Sequence, residues 1–147
     1  MYFYSSTVLD PPQLLERQFP LAFSILTHTD FQLFELLLRS VYRPNNLYCV
    51  HVDAGADWQY QERVKNVVGC FDNVFMASQL VNVKWGTMST FKPELVCMMD
   101  LLKMGNYWKY FINLTGQEMP LRTNFELVQL LNSIGGRNIV ECEQYNE

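Results

Sequence analysis

From Pro20 onward the apolar positions form short unbroken runs, and stretches with a helical repeat separate them. The run LAFSILT at 21–27 ends at His28 and reads as a buried strand. Asp30 can cap a helix over 31–41, where Phe34, Leu37, Leu38 and Val41 share one face. Arg43-Pro44-Asn45 breaks that helix, and the apolar run at 47–53 (LYCVHVD) reads as a second strand. Asp57 opens a helix through about residue 68, and 73–77 is a third short strand. Residues 90–104 read as helix, with Pro93 tolerated in the first turn and Gly105-Asn106 as the stop. A fourth strand covers 107–114 (YWKYFINL), and Thr123 or Asn124 caps a helix to Ile134. Gly135-Gly136 then leads into a last strand at 138–141, while residues 1–18, with Asp10-Pro11-Pro12, read as an irregular lead-in.

Strand and helix in alternation imply an α/β fold, a largely parallel sheet covered by helices on both faces. In such a sheet the C-terminal strand ends border the crevice where ligands bind. Asp53 ends the second strand and precedes Ala54-Gly55-Ala56, which places a carboxylate at that crevice. Asp before a glycine turn is also ordinary turn chemistry, so both readings stand at this point. A doubly wound sheet is rarely complete at a strand around residue 140. Residues 19–147 are therefore expected to be the first half of a larger catalytic domain.

Composition narrows the partners. With 147 residues, 49% hydrophobic and 14% aromatic, the chain suits one folded domain and not a disordered one. A net charge of −4 without a Lys/Arg cluster argues against nucleic acid. No apolar run reaches the roughly 18–20 residues needed to cross a bilayer, and residues 1–9 lack a signal-peptide pattern. Any membrane anchor is expected outside this chain. Cys49, Cys70, Cys97 and Cys142 have no C-x-x-C spacing, which argues against zinc. Buried thiols and disulfides both remain open on composition alone.

Five blocks in order carry a resemblance to a known family: FPLAFSILTH (19–28), LLLRSVYRPNNLYCVHVDAGA (36–56), CFDNVFMASQLVNVKWG (70–86), ELVCMMDLL (94–102) and WKYFINLTGQEMPLRTNFELV (108–128). Together they resemble the core-2/I-branching β-1,6-N-acetylglucosaminyltransferase family from about Phe19 to Glu141, the xylosyltransferases being more distant relatives. The resemblance implies a GT-A-like (Rossmann-like) fold, incomplete at the C-terminus, and a Golgi type II membrane protein whose catalytic domain is lumenal. It implies an inverting transfer of N-acetylglucosamine from UDP-GlcNAc to an O-glycan on a glycoprotein, in β-1,6 linkage. No metal or other cofactor is expected: the Asp-x-Asp of metal-dependent relatives is represented here by His51-Val52-Asp53. Basic side chains from the C-terminal half of such proteins are thought to neutralise the diphosphate.

Carried over position by position, the donor-binding residues are Leu26, Thr27, His28, Asp53 and Trp85, and Glu141 corresponds to an acceptor contact. Backbone groups at Leu26 and Thr27 suit uracil edges, His28 a phosphate or the base, Asp53 the ribose hydroxyls, and Trp85 a flat apolar wall. The resemblance implies Tyr where this chain has Trp85, and Asp where it has Glu118 in GQEMP. From residue type alone, His28 could be structural, Trp85 core, and Glu118 and Glu141 solvated carboxylates. The resemblance pairs Cys49 with Cys97, leaves Cys70 without a partner in this chain, and assigns none to Cys142. Asn113-Leu114-Thr115 has the N-glycosylation spacing, yet at the end of a strand expected to be buried it reads as structure. The catalytic base is expected beyond residue 147, so this chain alone should not transfer sugar. The alternative is a non-catalytic sugar-nucleotide-binding or interaction module derived from the same family.

Overall fold

A computed structural model describes residues 11–139. Its elements run α1 (Pro11–Gln18), β1 (Leu21–Thr27), α2 (Phe31–Val41), β2 (Leu47–Val52), α3 (Trp58–Val68), β3 (Val74–Met76), a 3-10 turn (Met88–Thr90), α4 (Lys92–Lys103), β4 (Tyr110–Thr115) and α5 (Asn124–Ile134). Three helices begin where a side chain takes up backbone N–H groups that the first turn leaves unpaired. Asp30 accepts from Leu33 N–H at 3.0 Å, and Asp57 accepts from the N–H groups of Gln59 and Tyr60. Thr123 and Glu126 form a reciprocal capping box on α5, which ends at Gly135 with φ 68°. A residue with a Cβ is strained at that angle.

All four strands are parallel, in the order β3-β2-β1-β4. Phe23 lies opposite Tyr48 on one side and Ile112 on the other. The chain steps outward from β1 to β3 and then returns to the far side of β1. That reversal makes the β1/β4 junction the switch point where an open α/β sheet parts its loops.

Side-chain alternation divides the core. Leu21, Phe23, Ile25, Tyr48, Val50 and Val52 pack with Phe34, Leu37 and Leu38 of α2, Val64 and Val68 of α3, and Val128 and Leu131 of α5. The opposite face carries Ala22, Leu47 and Cys49 against Cys97 and Leu101 of α4. Cys49 and Cys97 are disulfide-bonded, with Cα atoms 5.5 Å apart, which ties the middle of β2 to α4. Closing a loop with a sequence separation of 48 stabilises by about 4 kcal/mol in the chain-entropy model. Cys70 is exposed and unbridged, and Cys142 lies outside the described residues.

The structure corrects several expected details. Residues 11–18 of the lead-in are helical, because Pro11 and Pro12 fall in a first turn where a missing N–H removes no bond. The helix expected over 90–104 divides into the 3-10 turn and α4, with Phe91 at the junction offering no side-chain cap. Among the described residues β4 is the outer strand and only half-buried, and Asn113 is exposed there, so the burial expected of its sequon is not found among them. Residues 138–139 are not strand, and the remainder of the expected last strand, with Glu141, lies outside the described residues. Among those described, no helix is long and apolar enough to cross a membrane.

Candidate functional site

At the C-terminal edge of the sheet the tips of β1, β2 and β4 open into a cleft of about 460 Å³. Leu26, Thr27 and His28 line it from β1, His51 and Asp53 from β2, and Thr115 and Gly116 from β4. Val83 and Trp85 enter from the loop after β3, and Thr90 and Pro93 from the approach to α4. All five residues expected to meet a donor therefore share one cleft. Glu118 does not: its Oε2 accepts from Thr115 N–H at 2.5 Å, which closes the turn after β4.

Strand register explains the convergence. Leu26 lies opposite His51 and Thr115, and all three belong to the sheet face that α4 covers. Gly116 permits the close approach of β1 and β4 at their tips. Its N–H donates to Leu26 O at 2.7 Å, and a Cβ there would sit 2.7 Å from Thr27 Oγ1. Thr27 Oγ1 in turn hydrogen-bonds the Tyr60 hydroxyl of α3. Burial raises the pKa of that phenol, which therefore stays protonated.

Asp53 has already engaged both carboxylate oxygens. Oδ1 accepts from Gly55 N–H at 2.6 Å and Oδ2 from Val83 N–H at 2.9 Å. A carboxylate offers about four acceptor positions, so two remain for a hydroxyl-bearing ligand. The turn reading and the site reading of Asp53 are thus compatible. The carbonyls of Leu26 and Thr27 each accept one backbone N–H, from Gly116 and Asp53 respectively, and each keeps one lone pair. His51 is 1% exposed, and burial lowers its pKa against an opposing pull from the Asp53 charge. Trp85 is 96% exposed, which rules out the core reading for this indole. Among the described residues the cleft lining includes neither Lys nor Arg. Burial also raises the pKa of Glu94, in the first turn of α4.

A second cavity of about 300 Å³ lies between α2 and the end of α3, lined by Leu38, Tyr42, Val67 and Phe71 among others. It touches no strand end and is mainly apolar, so the sheet-edge cleft is the better chemical candidate.

The sequence profile of the Core-2/I-Branching enzyme family matches residues 21–147. The chain belongs to that family. It is 45% identical over 128 residues to the human β-1,3-galactosyl-O-glycosyl-glycoprotein β-1,6-N-acetylglucosaminyltransferase 3, a span covering 87% of this chain and 29% of the relative. The bovine herpesvirus 4 β-1,3-galactosyl-O-glycosyl-glycoprotein β-1,6-N-acetylglucosaminyltransferase is 44% identical over 132 residues, 90% of this chain and 30% of the viral protein. The cattle protein of the same name as the human one is 44% identical over 128 residues. The chain spans about three-tenths of the length of these relatives.

In this Core-2/I-Branching member, sequence reasoning missed His51, Val83, Thr115 and Gly116 as cleft residues. His51 had a readable signal, since it precedes Asp53 by two positions and must share its face of the strand. Gly116 follows β4 as directly as His28 follows β1. Val83 gave none, because its place depends on a loop without regular structure.

Proposed function

We propose that this chain supplies the donor-binding part of a glycosyltransferase that moves N-acetylglucosamine from UDP-GlcNAc to a glycoprotein O-glycan. The reaction is β-1,6, inverting and independent of metal, in the Golgi lumen, on a protein anchored by a segment outside this chain. One observation carries the reading. Five residues from three separate stretches, which the family resemblance assigns to donor contact, border one cleft at the sheet's switch point in a chain similar to β-1,6-N-acetylglucosaminyltransferases.

The roles follow from each group's chemistry. The unused lone pairs of the Leu26 and Thr27 carbonyls suit the uracil N–H, and Asp53 accepts from ribose hydroxyls. His28 is exposed at the rim and donates to a phosphate oxygen, and the Trp85 indole lies against a flat portion of the donor. In an inverting transfer a base removes the acceptor hydroxyl proton as that oxygen bonds to the anomeric carbon. The bond from that carbon to the UDP oxygen breaks on the opposite side. Departing UDP requires positive charge, and the family resemblance assigns both the base and the cationic clamp to residues beyond 147. Glu141 remains the proposed acceptor contact.

The test is transfer of radiolabelled N-acetylglucosamine to a core-1 O-glycan by the full-length protein, with and without a chelator. Activity should survive the chelator, the new linkage should be β, and Asp53→Ala should lower transfer about 10- to 100-fold through loss of a charge-assisted contact. The 147-residue chain alone should transfer nothing. A full-length protein that binds UDP-GlcNAc and transfers no sugar would favour the non-catalytic binding module. One that binds no UDP-sugar would refute the donor reading altogether.

A further inference from the structure

The loop between β3 and the 3-10 turn contains no strand or helix, yet it presents Val83 and Trp85 to the cleft. Three hydrogen bonds from the tip of β2 hold its middle. Val81 N–H donates to His51 Nε2 at 2.8 Å, Ala54 N–H donates to Val81 O at 3.0 Å, and Val83 N–H donates to Asp53 Oδ2 at 2.9 Å. Side chains at alternate positions of one strand thereby do what a neighbouring strand's carbonyls would do. From this geometry we infer that His51 is a positioning residue: its imidazole clasps Val81 and so sets the loop that brings Val83 and Trp85 against the donor. The inference rests on the donor-binding reading above and gives a positioning role to a cleft residue that reading leaves without one.

The hydrogen bond fixes the tautomer. An Nε2 that accepts is unprotonated, so the neutral ring carries its hydrogen on Nδ1. A protonated imidazole has no acceptor, and the Val81 N–H would then lose its partner in a site with little access to water. Burial favours the neutral ring, and the carboxylate of Asp53 on the same strand works against it. The elements around it bring few other charges. β1 ends in His28 at the cleft rim, β4 brings the neutral Thr115, and the clasped loop carries Lys84. On α4, Glu94 accepts from Asn113 Nδ2 at 3.5 Å, and Asp100 is held by Ser78 N–H and Lys103. The native state keeps His51 neutral more strongly than the unfolded chain does. The clasp is therefore intact above the ordinary histidine value of about 6.5 and is lost as pH falls through the native value below it.

The experiment compares wild type, His51→Gln and His51→Leu in the full-length protein between about pH 5 and 8. Amide hydrogen exchange at Val81 and Val83, corrected for intrinsic rates, is read beside UDP-GlcNAc affinity by calorimetry. In wild type, Val81 protection and donor affinity should fall together with decreasing pH, with Val83 protected to lower pH by Asp53. His51→Leu should lose Val81 protection at every pH and bind donor about tenfold more weakly, the worth of one lost hydrogen bond in a buried site. His51→Gln puts a carbonyl oxygen near the Nε2 position; it should regain most of that affinity and abolish the titration of Val81 protection. Unchanged Val81 protection and donor affinity in a folded His51→Leu protein would overturn the proposal, as would a pH midpoint of Val81 protection that persists in His51→Gln. If His51→Leu fails to fold, His51→Gln decides alone. A wild type that binds no donor defeats the donor reading, while Val81 protection still decides whether the clasp exists.

Discussion

Asn46, just before β2, and His51, near its end, are equally buried, and they use their polar atoms differently. At the N-terminal edge, Asn46 Oδ1 accepts from Leu21 N–H at 3.0 Å, and its Nδ2 donates to Tyr48 Oη and to Asn124 Oδ1. Tyr48 donates to Val41 O, and Asn124 Nδ2 reaches Glu16 of α1. The polar groups there meet one another across β1, α1, α2 and α5. At the C-terminal edge, His51 and Asp53 bond only to backbone of loops, and Asp53, Leu26 and Thr27 keep lone pairs facing a cleft. One end is a closed network that stabilises the sheet; the other is rigid scaffolding around unmet hydrogen-bonding capacity. Buried polar groups thus mark a structural end or a binding end according to whether their bonding is complete.

The largest effect should come from the closed end. Asn46→Leu leaves the buried Leu21 N–H without an acceptor and removes a partner from Tyr48 and Asn124. A loss of about 2–4 kcal/mol in stability is expected from a broken buried network. Denaturant unfolding measures it, and UDP-GlcNAc affinity of the folded protein should not move. An Asn46→Leu protein with weakened donor binding and intact stability would erase the distinction between the two ends.

An intermediate effect is expected where the scaffold meets the cleft. In Gly116→Ala the new Cβ would lie 2.7 Å from Thr27 Oγ1 and 3.1 Å from Thr27 Cβ. Thr27 cannot rotate away without breaking its bond to Tyr60, so β1 and β4 must part at their tips. Overpacking of this kind costs about 1–3 kcal/mol, and here it should also weaken donor binding because the same atoms line the cleft. Thermal unfolding together with calorimetry would show both losses or break the assignment.

The strand runs, the helix caps and the largely parallel sheet were the more legible parts of the sequence. The runs at 21–27 and 47–53 and the caps at Asp30, Asp57 and Thr123 follow from local chemistry, and the structure has them within a residue. α1 was illegible because Pro-Pro also serves to end structure, and only its packing on α5 decides in favour of a helix. β4 looked fully buried because its residues are apolar, but among the described residues it is the outer strand and half-buried. At the site, the resemblance pointed to residues at strand ends, which are fixed by register. His51 and Val83 depend on a loop lashed down by tertiary hydrogen bonds, and no local pattern encodes those.

The smallest effect on stability should belong to Trp85, and it tests the open end most directly. An indole that is 96% exposed contributes almost nothing to the core, so Trp85→Ala should change unfolding free energy by less than about 0.5 kcal/mol. A large apolar ring left in water next to a cleft has another use, and stacking on a planar base is worth about 1–3 kcal/mol. Trp85→Ala should accordingly weaken UDP-GlcNAc binding about tenfold while the melting temperature stays put. Trp85→Tyr should keep most of the affinity because the flat face is retained. The pattern is the inverse of Asn46→Leu: binding lost, stability kept. Equal donor affinity in wild type and Trp85→Ala would mean that the loop clasped by His51 and Asp53 does not cover the donor, and the role of the open end would then rest on Asp53 and the β1 tip alone.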